Sequence, residues 1–509
     1  MTRYSDLEYL KLSKFKKLLY KLLCFFIAIP LWFADKAKKI GGFFKNAGLS
    51  IKNEFVDLIA TFKNGDAKTR VSYIVMGYGS FRRGQILRGL LFFLFEAAFV
   101  FYMIFAGGYW LSMLPSLGKQ GPAYEYDPIY DTYVTTYHDN SFKILLYGVL
   151  TLFFIIAFIY TWRLNIKQNK LCEQIIKSGK KLKSGKDDLR SLVDDQFHKT
   201  LLALPITGII VFTVLPLVFM ILVAFTNYDG SHNGFSNNLF EWVGLDNFNT
   251  LLSWSSGDNF YAATFGEILT WTLIWAFFAT FTNYFLGMLV AMMINKKGIK
   301  LKKFWRTVLV LTIAIPQFIS LLFVSKMFAK NGIVNSTLMN LGWITDPIPF
   351  WEDPLLARIS VIVINIWIGI PYLMLIATGI LMNIPQDLYE SARIDGASGF
   401  KQYTKITLPY MLFITGPYLL TSFTSNINNF NVIYLLTGGG PIKGNASAVG
   451  GNPGNTDLLI TWLFKITTYE ESRYYLASVI GIMVFIVIAV ISLVVYSMLP
   501  SIKNEEDFQ

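Results

Sequence analysis

The sequence is poor in cysteine, histidine and charge. It has 2 Cys and 3 His among 509 residues, and 15% of its residues are charged. Cys24 and Cys172 lie in segments that the basic residues assign to the cytoplasm, so a structural disulfide is not expected. The histidines stand in separate loops without metal-ligand spacing, so we expect no metal site. No Gly-x-x-x-x-Gly-Lys-[Ser/Thr] phosphate loop occurs, so the chain is not expected to bind ATP itself.

The chain is rich in hydrophobic residues, which make up 54% of it. That is more than a soluble core could bury. Crossing about 30 Å of hydrocarbon takes roughly 20 apolar residues in a helix, because lipid offers no partners for an open backbone. Eight stretches approach this length, which predicts an all-α polytopic membrane protein with about eight transmembrane helices. They run approximately from 90 to 111, 144 to 162, 201 to 225, 263 to 294, 308 to 328, 356 to 382, 411 to 436 and 476 to 499.

The basic residues lie in blocks between these stretches. Lys and Arg crowd 1–88, 163–199 and 296–306, whereas 226–262 contains neither. Cytoplasmic loops of membrane proteins carry the excess of Lys and Arg. The pattern predicts a multi-pass protein with both termini, and the loop around Glu390, in the cytoplasm. We therefore attribute the formal net charge of +12 to the cytoplasmic segments of a membrane protein and not to a nucleic-acid-binding surface.

Four segments are expected along the chain. Residues 1–88 should form a cytoplasmic basic tail with an interfacial helix at 18–33, since no convincing small-residue cleavage site follows that apolar run. Residues 89–199 should form an accessory hairpin of two membrane helices with a cytoplasmic connector. Residues 200–500 should form a six-helix membrane core, and 501–509 a cytoplasmic tail.

A mostly polar stretch separates the sixth and seventh apolar segments. Pro385 suits the first turn of a helix, and Asp387 places negative charge near the positive end of that helix. Gly396 and Gly399 then break the pattern, and a second short helix is expected before Pro409. The sequence therefore predicts two short helices joined by a bend.

This stretch reads Glu-Ser-Ala-Arg-Ile-Asp-Gly-Ala-Ser-Gly from Glu390 and ends in Ile-Thr-Leu-Pro at Pro409. It resembles the cytoplasmic signature of type I ABC importer permeases, which is Glu-Ala-Ala, three residues, Gly and then Ile-x-Leu-Pro. Ser391 stands where the family usually has Ala. The resemblance implies that the hairpin docks onto a partner ATPase and couples it to the pore. The residues matched to this role are Glu390, Ala392, Asp395, Gly396, Ala397 and Pro409.

A stripe of uncharged polar residues lies in the predicted seventh membrane helix. Amides and hydroxyls inside a bilayer turn toward protein or a water-filled cavity. They suit sugar hydroxyls, which they bind without the desolvation penalty of a buried ion. Hydrogen bonding between neighbouring helices is the alternative role. At about 100° per residue, four residues share one face, namely Ser422, Ser425, Asn426 and Asn429.

The preceding predicted helix contains Trp-Ile-Gly-Ile-Pro-Tyr from Trp367 to Tyr372, where Pro371 can kink the helix and Tyr372 offers a ring and a hydroxyl. With 387–409 and 422–436, these residues resemble the larger membrane subunit of the maltose and maltodextrin importers, in the binding-protein-dependent sugar permease family. The resemblance implies a type I permease core of six helices that holds sugar in a membrane cavity. The matching substrate-binding positions are Ile368, Gly369, Tyr372, Ser422, Ser425, Asn426 and Asn429.

The resemblance implies a membrane-spanning subunit of an ATP-driven, binding-protein-dependent importer of maltodextrin-type oligosaccharides in a bacterial plasma membrane. Its expected partners are a second permease subunit in a heterodimer, an ABC ATPase dimer and an extracytoplasmic sugar-binding protein of the lipoprotein kind. We expect no catalytic residue and no cofactor on this chain, because ATP and Mg²⁺ would be bound by the ATPase subunits. The lipid bilayer is a further partner, and nucleic acid is not expected.

Other interpretations stay open from the residues alone. Another oligosaccharide, such as a galactoside or a β-linked glucan, fits the same polar stripe, because the stripe does not reveal the linkage. An ion-coupled secondary transporter and a membrane enzyme acting on lipid-linked sugars are rivals of other classes. Glu96 and Glu267, which lie in or at the edge of apolar stretches, raise a proton-relay hypothesis. We favour pairing or snorkelling for both.

Overall fold

The fold is described from a computed structural model of the chain. The described residues are 20, 38, 41–42, 45–136, 138–182, 187, 190–191, 193–233, 238–252, 260–296, 298–444, 449–468 and 472–498. The interfacial helix predicted at 18–33, apart from one residue, and the tail predicted at 501–509 lie outside them. The chain divides into two compact units, Met1–Tyr109 with Leu150–Gly208 and Trp110–Val149 with Ile209–Gln509.

Helices make up most of the described chain, as the hydrophobic pattern predicts. Two strands, β1 (Ala123–Asp127) and β2 (Thr132–Thr136), form an antiparallel ribbon with Ala123 opposite Thr136. A 3₁₀ turn spans Gly230–Asn233. The helices are α1 (45–64), α2 (Ala67–Val71), α3 (Tyr78–Phe81), α4 (Ile86–Met113), α5 (Ser141–Lys177), α6 (Phe197–Val223), α7 (Asp246–Leu252), α8 (Phe260–Asn295), α9 (Lys302–Ala314), α10 (Gln317–Met327), α11 (Ile333–Asn340), α12 (Pro354–Leu381), α13 (Gln386–Ile394), α14 (Gly399–Ile427), α15 (Phe430–Thr437), α16 (Leu459–Thr468) and α17 (Tyr474–Met498).

Seven of the described helices are long and apolar enough to cross a membrane, and they are α4, α5, α6, α8, α12, α14 and α17. Helices α9 and α10 make an eighth crossing if they are taken together, although they are bent by 90° at the break between them. The prediction of about eight membrane helices is confirmed. The uninterrupted span predicted from 308 to 328 is wrong, because Pro316 forces Ile315 out of helical geometry to φ −80° and ψ 124°.

Two membrane helices contain a wide, π-helical turn just before a proline. The turns are Ile210–Val214 in α6, before Pro216, and Tyr403–Thr407 in α14, before Pro409. In a regular α-helix, a proline ring collides with the carbonyl one turn earlier and leaves that carbonyl without a donor. The wider turn accommodates the ring, so each helix continues through the proline that follows the turn.

In the first unit, a buried arginine fastens the segment before α4 to helix α5. Arg83 has a side chain that is 1% exposed, and it contacts Asp66 Oδ1 at 2.6 Å. It also donates to Asn169 Oδ1 on α5 at 2.6 Å and to Thr69 Oγ1 at 2.7 Å. A buried guanidinium needs such partners, because an uncompensated buried charge is strongly destabilising. The segment before α4 is therefore part of the folded unit.

Glu96 on α4 also contacts the segment that precedes α4. Its Oε2 accepts a hydrogen bond from the backbone amide of Met76 at 2.7 Å, and Met76 itself is 0% exposed. The carboxylate thus satisfies a buried backbone donor that would otherwise cost free energy. This hydrogen bond gives the Glu96 carboxylate a structural role in the first unit.

In the second unit, α8 is the central helix and contributes to three hydrophobic clusters along its length. Ile268 belongs to the first cluster, Trp275 to the second and Met288 to the third. All three residues are at most 1% exposed. The other membrane helices of this unit pack around α8, which fixes the position of the polar residues that α8 carries.

Helices α8 and α12 run parallel. The Arg358 guanidinium, near the start of α12, lies over the ring of Trp271, near the start of α8, at 4.8 Å from its centroid. At the far ends of the two helices, Asn295 Nδ2 donates to Thr378 Oγ1 at 3.3 Å. The polar hairpin that follows α12 therefore lies at the end of the bundle that contains Asn295. Residues 238–252, which precede α8 in the sequence and pack against its start through Leu251, lie at the opposite end.

Candidate functional site

The polar stretch after α12 folds into a helix followed by a tight bend. Pro385 is the N-cap residue of α13 and Asp387 lies in its first turn, so the predicted first helix is confirmed. Gly396 then takes φ +70°, a left-handed conformation that costs residues with a side chain roughly 1–2 kcal/mol. The amide of Ala397 donates to Ala392 O at 2.8 Å and closes the bend. The bend therefore favours glycine at position 396.

The bend is uncovered by the described chain. A Cβ atom at Gly396 would meet nothing within 4 Å. Ile394 is 87% exposed and Phe400 is 77% exposed. Exposed apolar residues around a small-residue bend form the kind of surface that a partner protein buries. Six residues are matched to coupling. Four of them are exposed, namely Glu390, Asp395, Gly396 and Pro409. The other two, Ala392 and Ala397, are half-buried.

The second short helix predicted after the bend is not a separate element. Helix α14 begins at Gly399 and continues past Pro409 to Ile427. The sequence prediction treated Pro409 as a stop, but the π-helical turn before it lets the helix continue. The hydroxyl of Tyr389 on α13 lies 2.8 Å from Thr407 Oγ1 on α14, within hydrogen-bonding distance. The bend is thus attached directly to the base of a membrane helix.

The other end of α14 contains a break in the helix. Helix α14 ends at Ile427 and α15 begins at Phe430, within the apolar stretch predicted at 411–436. Asn429 caps α15 by accepting a hydrogen bond from Val432 N at 3.3 Å. The prediction of one continuous helical face through Asn429 is therefore wrong. Non-helical backbone in a membrane is tolerated where protein or a water-filled cavity surrounds it, which marks the break as a candidate binding point.

Two asparagine amides join this break to α8. Asn429 Nδ2 donates to Asn426 Oδ1 at 3.3 Å, and Asn426 Nδ2 donates to Thr280 Oγ1 at 3.0 Å. Trp275 Nε1 donates to the backbone carbonyl of Asn426 at 3.1 Å. Each amide nitrogen carries a second hydrogen, so each asparagine keeps a donor for another hydroxyl group. The cluster offers donors and acceptors but carries no formal charge.

On α12, Gly369 is in close contact with Asn283 of α8. A Cβ atom at Gly369 would lie 2.7 Å from the Asn283 side chain. Asn283 is 5% exposed, and its Oδ1 has no hydrogen-bond partner among the described residues. Ile368 packs against the buried cluster that contains Trp275. The structure therefore places Ile368 and Gly369 in the contact between α8 and α12.

The remaining matched positions lie toward the surface of the second unit. Tyr372 is 53% exposed. Tyr418 on α14 lies near Ser422, one turn further along the same helix, and near Tyr372. Ser425 is exposed. Of the seven matched residues, Asn426 and Asn429 therefore lie at the helix break, Tyr372 and Ser422 lie near Tyr418, and Ile368 and Gly369 lie in the contact between α8 and α12. Ser425 is placed in none of these groups.

Several polar residues in these groups were not identified from the sequence. They are Thr280 and Asn283 on α8 and Tyr418 on α14, all of which contact a predicted position. Thr280 and Asn283 are one helical turn apart within an apolar stretch, so they lie on the same face. The sequence signal that could have identified Thr280 and Asn283 is the repeat of polar residues at that spacing inside a membrane helix.

Charged residues lie in ion pairs at the opposite end of the second unit from the hairpin. Glu267 pairs with Lys443, as favoured over the proton relay. Asp457, which is 0% exposed, pairs with Lys465 at 2.7 Å, and the Lys465 side chain is 6% exposed. Among the residues that the structure describes, no group of three His, Cys, Asp or Glu could hold a metal ion.

Comparisons with known proteins identify the family. Residues 283–503 match the family described as "binding-protein-dependent transport system inner membrane component". The chain is 31% identical over 453 residues to the maltodextrin transport system permease protein MalC of Streptococcus pneumoniae, covering 87% of this chain and 98% of MalC. The chain belongs to this permease family. The matched segment contains both the hairpin and the helix break.

Other relatives of the chain are named as transporters of different sugars. The chain is 31% identical over 436 residues to the galactooligosaccharides transport system permease protein GanP of Bacillus subtilis, covering 85% of this chain and 97% of GanP. It is 34% identical over 256 residues to the maltose/maltodextrin transport system permease protein MalF of Vibrio vulnificus, covering 49% of this chain and 47% of MalF.

The chain is therefore a multi-span sugar permease of the maltose type, the pore-forming component of a binding-protein-dependent importer of the bacterial inner membrane. Permeases of this family are transport components and not ATPases. This membership favours the ABC importer over the ion-coupled secondary transporter.

Proposed function

We propose that this permease imports maltodextrins, the α-1,4-linked oligosaccharides of glucose, and that the helix break between α14 and α15 is where it holds them. The observation that carries this proposal is the uncharged cluster of Asn426 and Asn429, with hydrogen-bonding capacity left over on both amides. Hydroxyl-rich neutral sugars match such amides in hydrogen bonding and bring no charge to desolvate. Tyr372 adds an exposed aromatic ring at which a sugar face can stack.

A galactooligosaccharide is the second candidate substrate, because GanP is as similar to this chain as MalC is. The two candidates are separated by measuring the ATPase activity of the reconstituted importer with maltotriose, with a galactose trisaccharide and with cellotriose. We expect stimulation by maltotriose only. Stimulation by the galactose trisaccharide alone would reassign the substrate. Asn426→Ala should remove the stimulation, and stimulation that persists unchanged would reject the helix break as the sugar site.

The bend at Gly396 is proposed to dock onto the ATPase partner, which would bind ATP and Mg²⁺ in place of this chain. Its support is the uncovered surface of small and apolar residues, with the acidic side chains of Glu390 and Asp395 exposed beside them. Acidic groups at the edge of such a contact can make charge-assisted hydrogen bonds that set its register. The Tyr389 and Thr407 contact would transmit motion of the bend to α14.

Charge reversal tests this docking. Glu390→Lys should reduce sugar uptake and sugar-stimulated ATPase activity about tenfold or more, because it places a like or unpaired charge in the contact. Glu352→Lys is the matched control, since Glu352 is also exposed but precedes α12 at the opposite end of the bundle. Both variants should assemble in normal amounts. If the two variants transport equally well, the bend is not the coupling contact.

The proposal also includes an orientation in the membrane and two further partner proteins. Both termini and the bend would face the cytoplasm, and the loop before α8 would face outward, where a sugar-binding protein of the lipoprotein kind delivers the substrate. A second permease subunit would form the other half of the pore. The Lys-rich and Arg-rich segments flanking the spans support this orientation.

A further inference from the structure

The amide of Asn426 is held on both sides. Its Nδ2 donates to Thr280 Oγ1 at 3.0 Å, and its Oδ1 accepts from Asn429 Nδ2 at 3.3 Å. The backbone carbonyl of the same residue accepts from Trp275 Nε1 at 3.1 Å. Both the side chain and the backbone of Asn426 are therefore fixed to neighbouring residues.

The direction of this hydrogen-bond chain is determined at its start. The backbone amide of Val432 can only donate, and it donates to Asn429 Oδ1 at 3.3 Å. Asn429 must therefore turn its Nδ2 toward Asn426, and Asn426 must accept through Oδ1. The Nδ2 of Asn426 is then left facing Thr280. If the Asn426 amide were inverted, its NH₂ group would face the NH₂ group of Asn429, and no hydrogen bond could form between them. The orientation of the Asn429 amide therefore determines the orientation of the Asn426 amide.

Thr280 ends this chain from a buried position. It is 1% exposed, lies on α8, and is separated from Asn426 by 146 positions in the sequence. A residue this deeply buried does not contact a solute bound at the helix break. It can influence sugar binding only through the amide that it holds.

We propose that Thr280 is a positioning residue that fixes the Asn426 amide, so that one N–H and one Oδ1 lone pair face the sugar in a set orientation. The inference rests on the proposed function, because it assumes that Asn426 meets the sugar. Without the Thr280 hydroxyl, the Nδ2 group loses its acceptor, and the amide must be ordered when the sugar arrives. That ordering weakens binding, because preorganised groups cost less to engage.

The test is a double-mutant cycle on the assembled permease and ATPase complex, without the binding protein and held with a non-hydrolysable ATP analogue. The measured quantity is the Kd for radiolabelled maltotriose by scintillation proximity. Thr280→Val, which removes the hydroxyl at nearly constant shape, should raise the Kd about 2- to 10-fold, as expected for one lost hydrogen bond. Thr280→Ser keeps the hydroxyl and should bind within about twofold of wild type.

The matched control is Thr282→Val on the same helix. The Thr282 hydroxyl donates to the Phe278 carbonyl of its own helix and not to another element. This variant should bind maltotriose like the wild type. If Thr280→Val does not assemble, Thr280→Ala removes the same hydroxyl without adding bulk and carries the same expectation.

The cycle separates the possible outcomes. If Thr280 acts through Asn426, Asn426→Ala should weaken binding, and adding Thr280→Val should have no further effect on the Kd. Additive effects, or a Thr280→Val variant that binds like wild type while Asn426→Ala binds weakly, would overturn the inference alone. If Asn426→Ala binds maltotriose as well as wild type does, the proposed sugar site fails, and the inference fails with it.

Discussion

At the scale of single residues, two buried charged groups, Arg83 and Asp457, are each surrounded by specific partners. Arg83 is surrounded by an acid, an amide and a hydroxyl. Asp457 accepts hydrogen bonds from Gly454 N and from Thr461 Oγ1 in addition to its contact with Lys465. Removing one partner from such a group leaves the other partner buried without compensation. Stability should therefore be most sensitive at these positions.

Asp66→Asn should destabilise the first unit at neutral pH by about 1–2 kcal/mol. Partial burial raises the pKa of the Asp66 carboxyl, but hydrogen bonds from Thr69 and the charge of Arg83 together hold the pKa below its ordinary value of 3.8. A carboxyl with a lowered folded pKa stabilises the fold above its unfolded pKa and loses that contribution as the pH falls through its folded pKa. Thermal unfolding from pH 7 downward should show wild type and variant converging below pH 3.8.

The control for this prediction is Asp57→Asn. Asp57 pairs with Lys170 at the surface, where both side chains are more than a third exposed, so its loss should cost at most about 1 kcal/mol. Equal destabilisation by the two substitutions at pH 7 would show that the contact of Asp66 with the buried Arg83 contributes no more to stability than a surface ion pair does.

Lys465→Met should destabilise the second unit by roughly 3–5 kcal/mol, because it leaves the carboxylate of Asp457 buried without a counter-charge. The double variant Asp457→Asn with Lys465→Met removes both charges and should recover part of the loss. Thermal unfolding of the purified variants measures both effects. A single variant as stable as wild type would contradict this account of the pair.

At the scale of elements, the bend after α13 depends on backbone conformation and not on packing. A Cβ atom would meet nothing within 4 Å at either Gly396 or Gly399, but only Gly396 has a positive φ. Gly396→Ala should therefore weaken the bend by roughly 1–2 kcal/mol. Hydrogen exchange of the Ala397 amide, which donates to Ala392 O, should become faster in this variant. Gly399→Ala should leave it unchanged, and equal exchange in both variants would contradict the prediction.

The sequence predicts helices well where one signal dominates. The long apolar stretches specify the membrane helices, and Pro385 with Asp387 specifies the start of α13. It fails where two local signals compete, as at Pro409, where the π-helical turn overrides the expected stop. Pro316 could have been identified as a break, because the residue before a proline avoids helical geometry.

The candidate site is only partly available from the sequence. The polar residues of α14 are visible as a stripe, but the cap at Asn429 depends on where the helix ends. The partner of Asn426 is Thr280, 146 positions away. Such a pairing follows from the packing of α8 against α14, which the hydrophobic pattern of either helix alone does not specify.

At the scale of the whole molecule, the parallel arrangement of α8 and α12 places the bend and residues 238–252, which precede α8 in the sequence, at opposite ends of the second unit. Cysteine labelling in cells checks the proposed orientation, after the native cysteines are replaced by Ser. Ser231→Cys should react with a membrane-impermeant maleimide in intact cells. Ser398→Cys should react only after permeabilisation, although both positions are exposed in the fold. The reverse labelling pattern would invert the proposed topology.

The break between α14 and α15 also bears on energetics across the bilayer. The facing ends of the two helices carry only the partial charges of their backbone groups, and the polar side chains described at the break, which include Asn426, Asn429 and Thr280, carry no formal charge. A membrane voltage acts on formal charge, at about 2.3 kcal/mol per elementary charge for 100 mV. A neutral solute moving past this point carries no current, so the voltage neither assists nor opposes its passage.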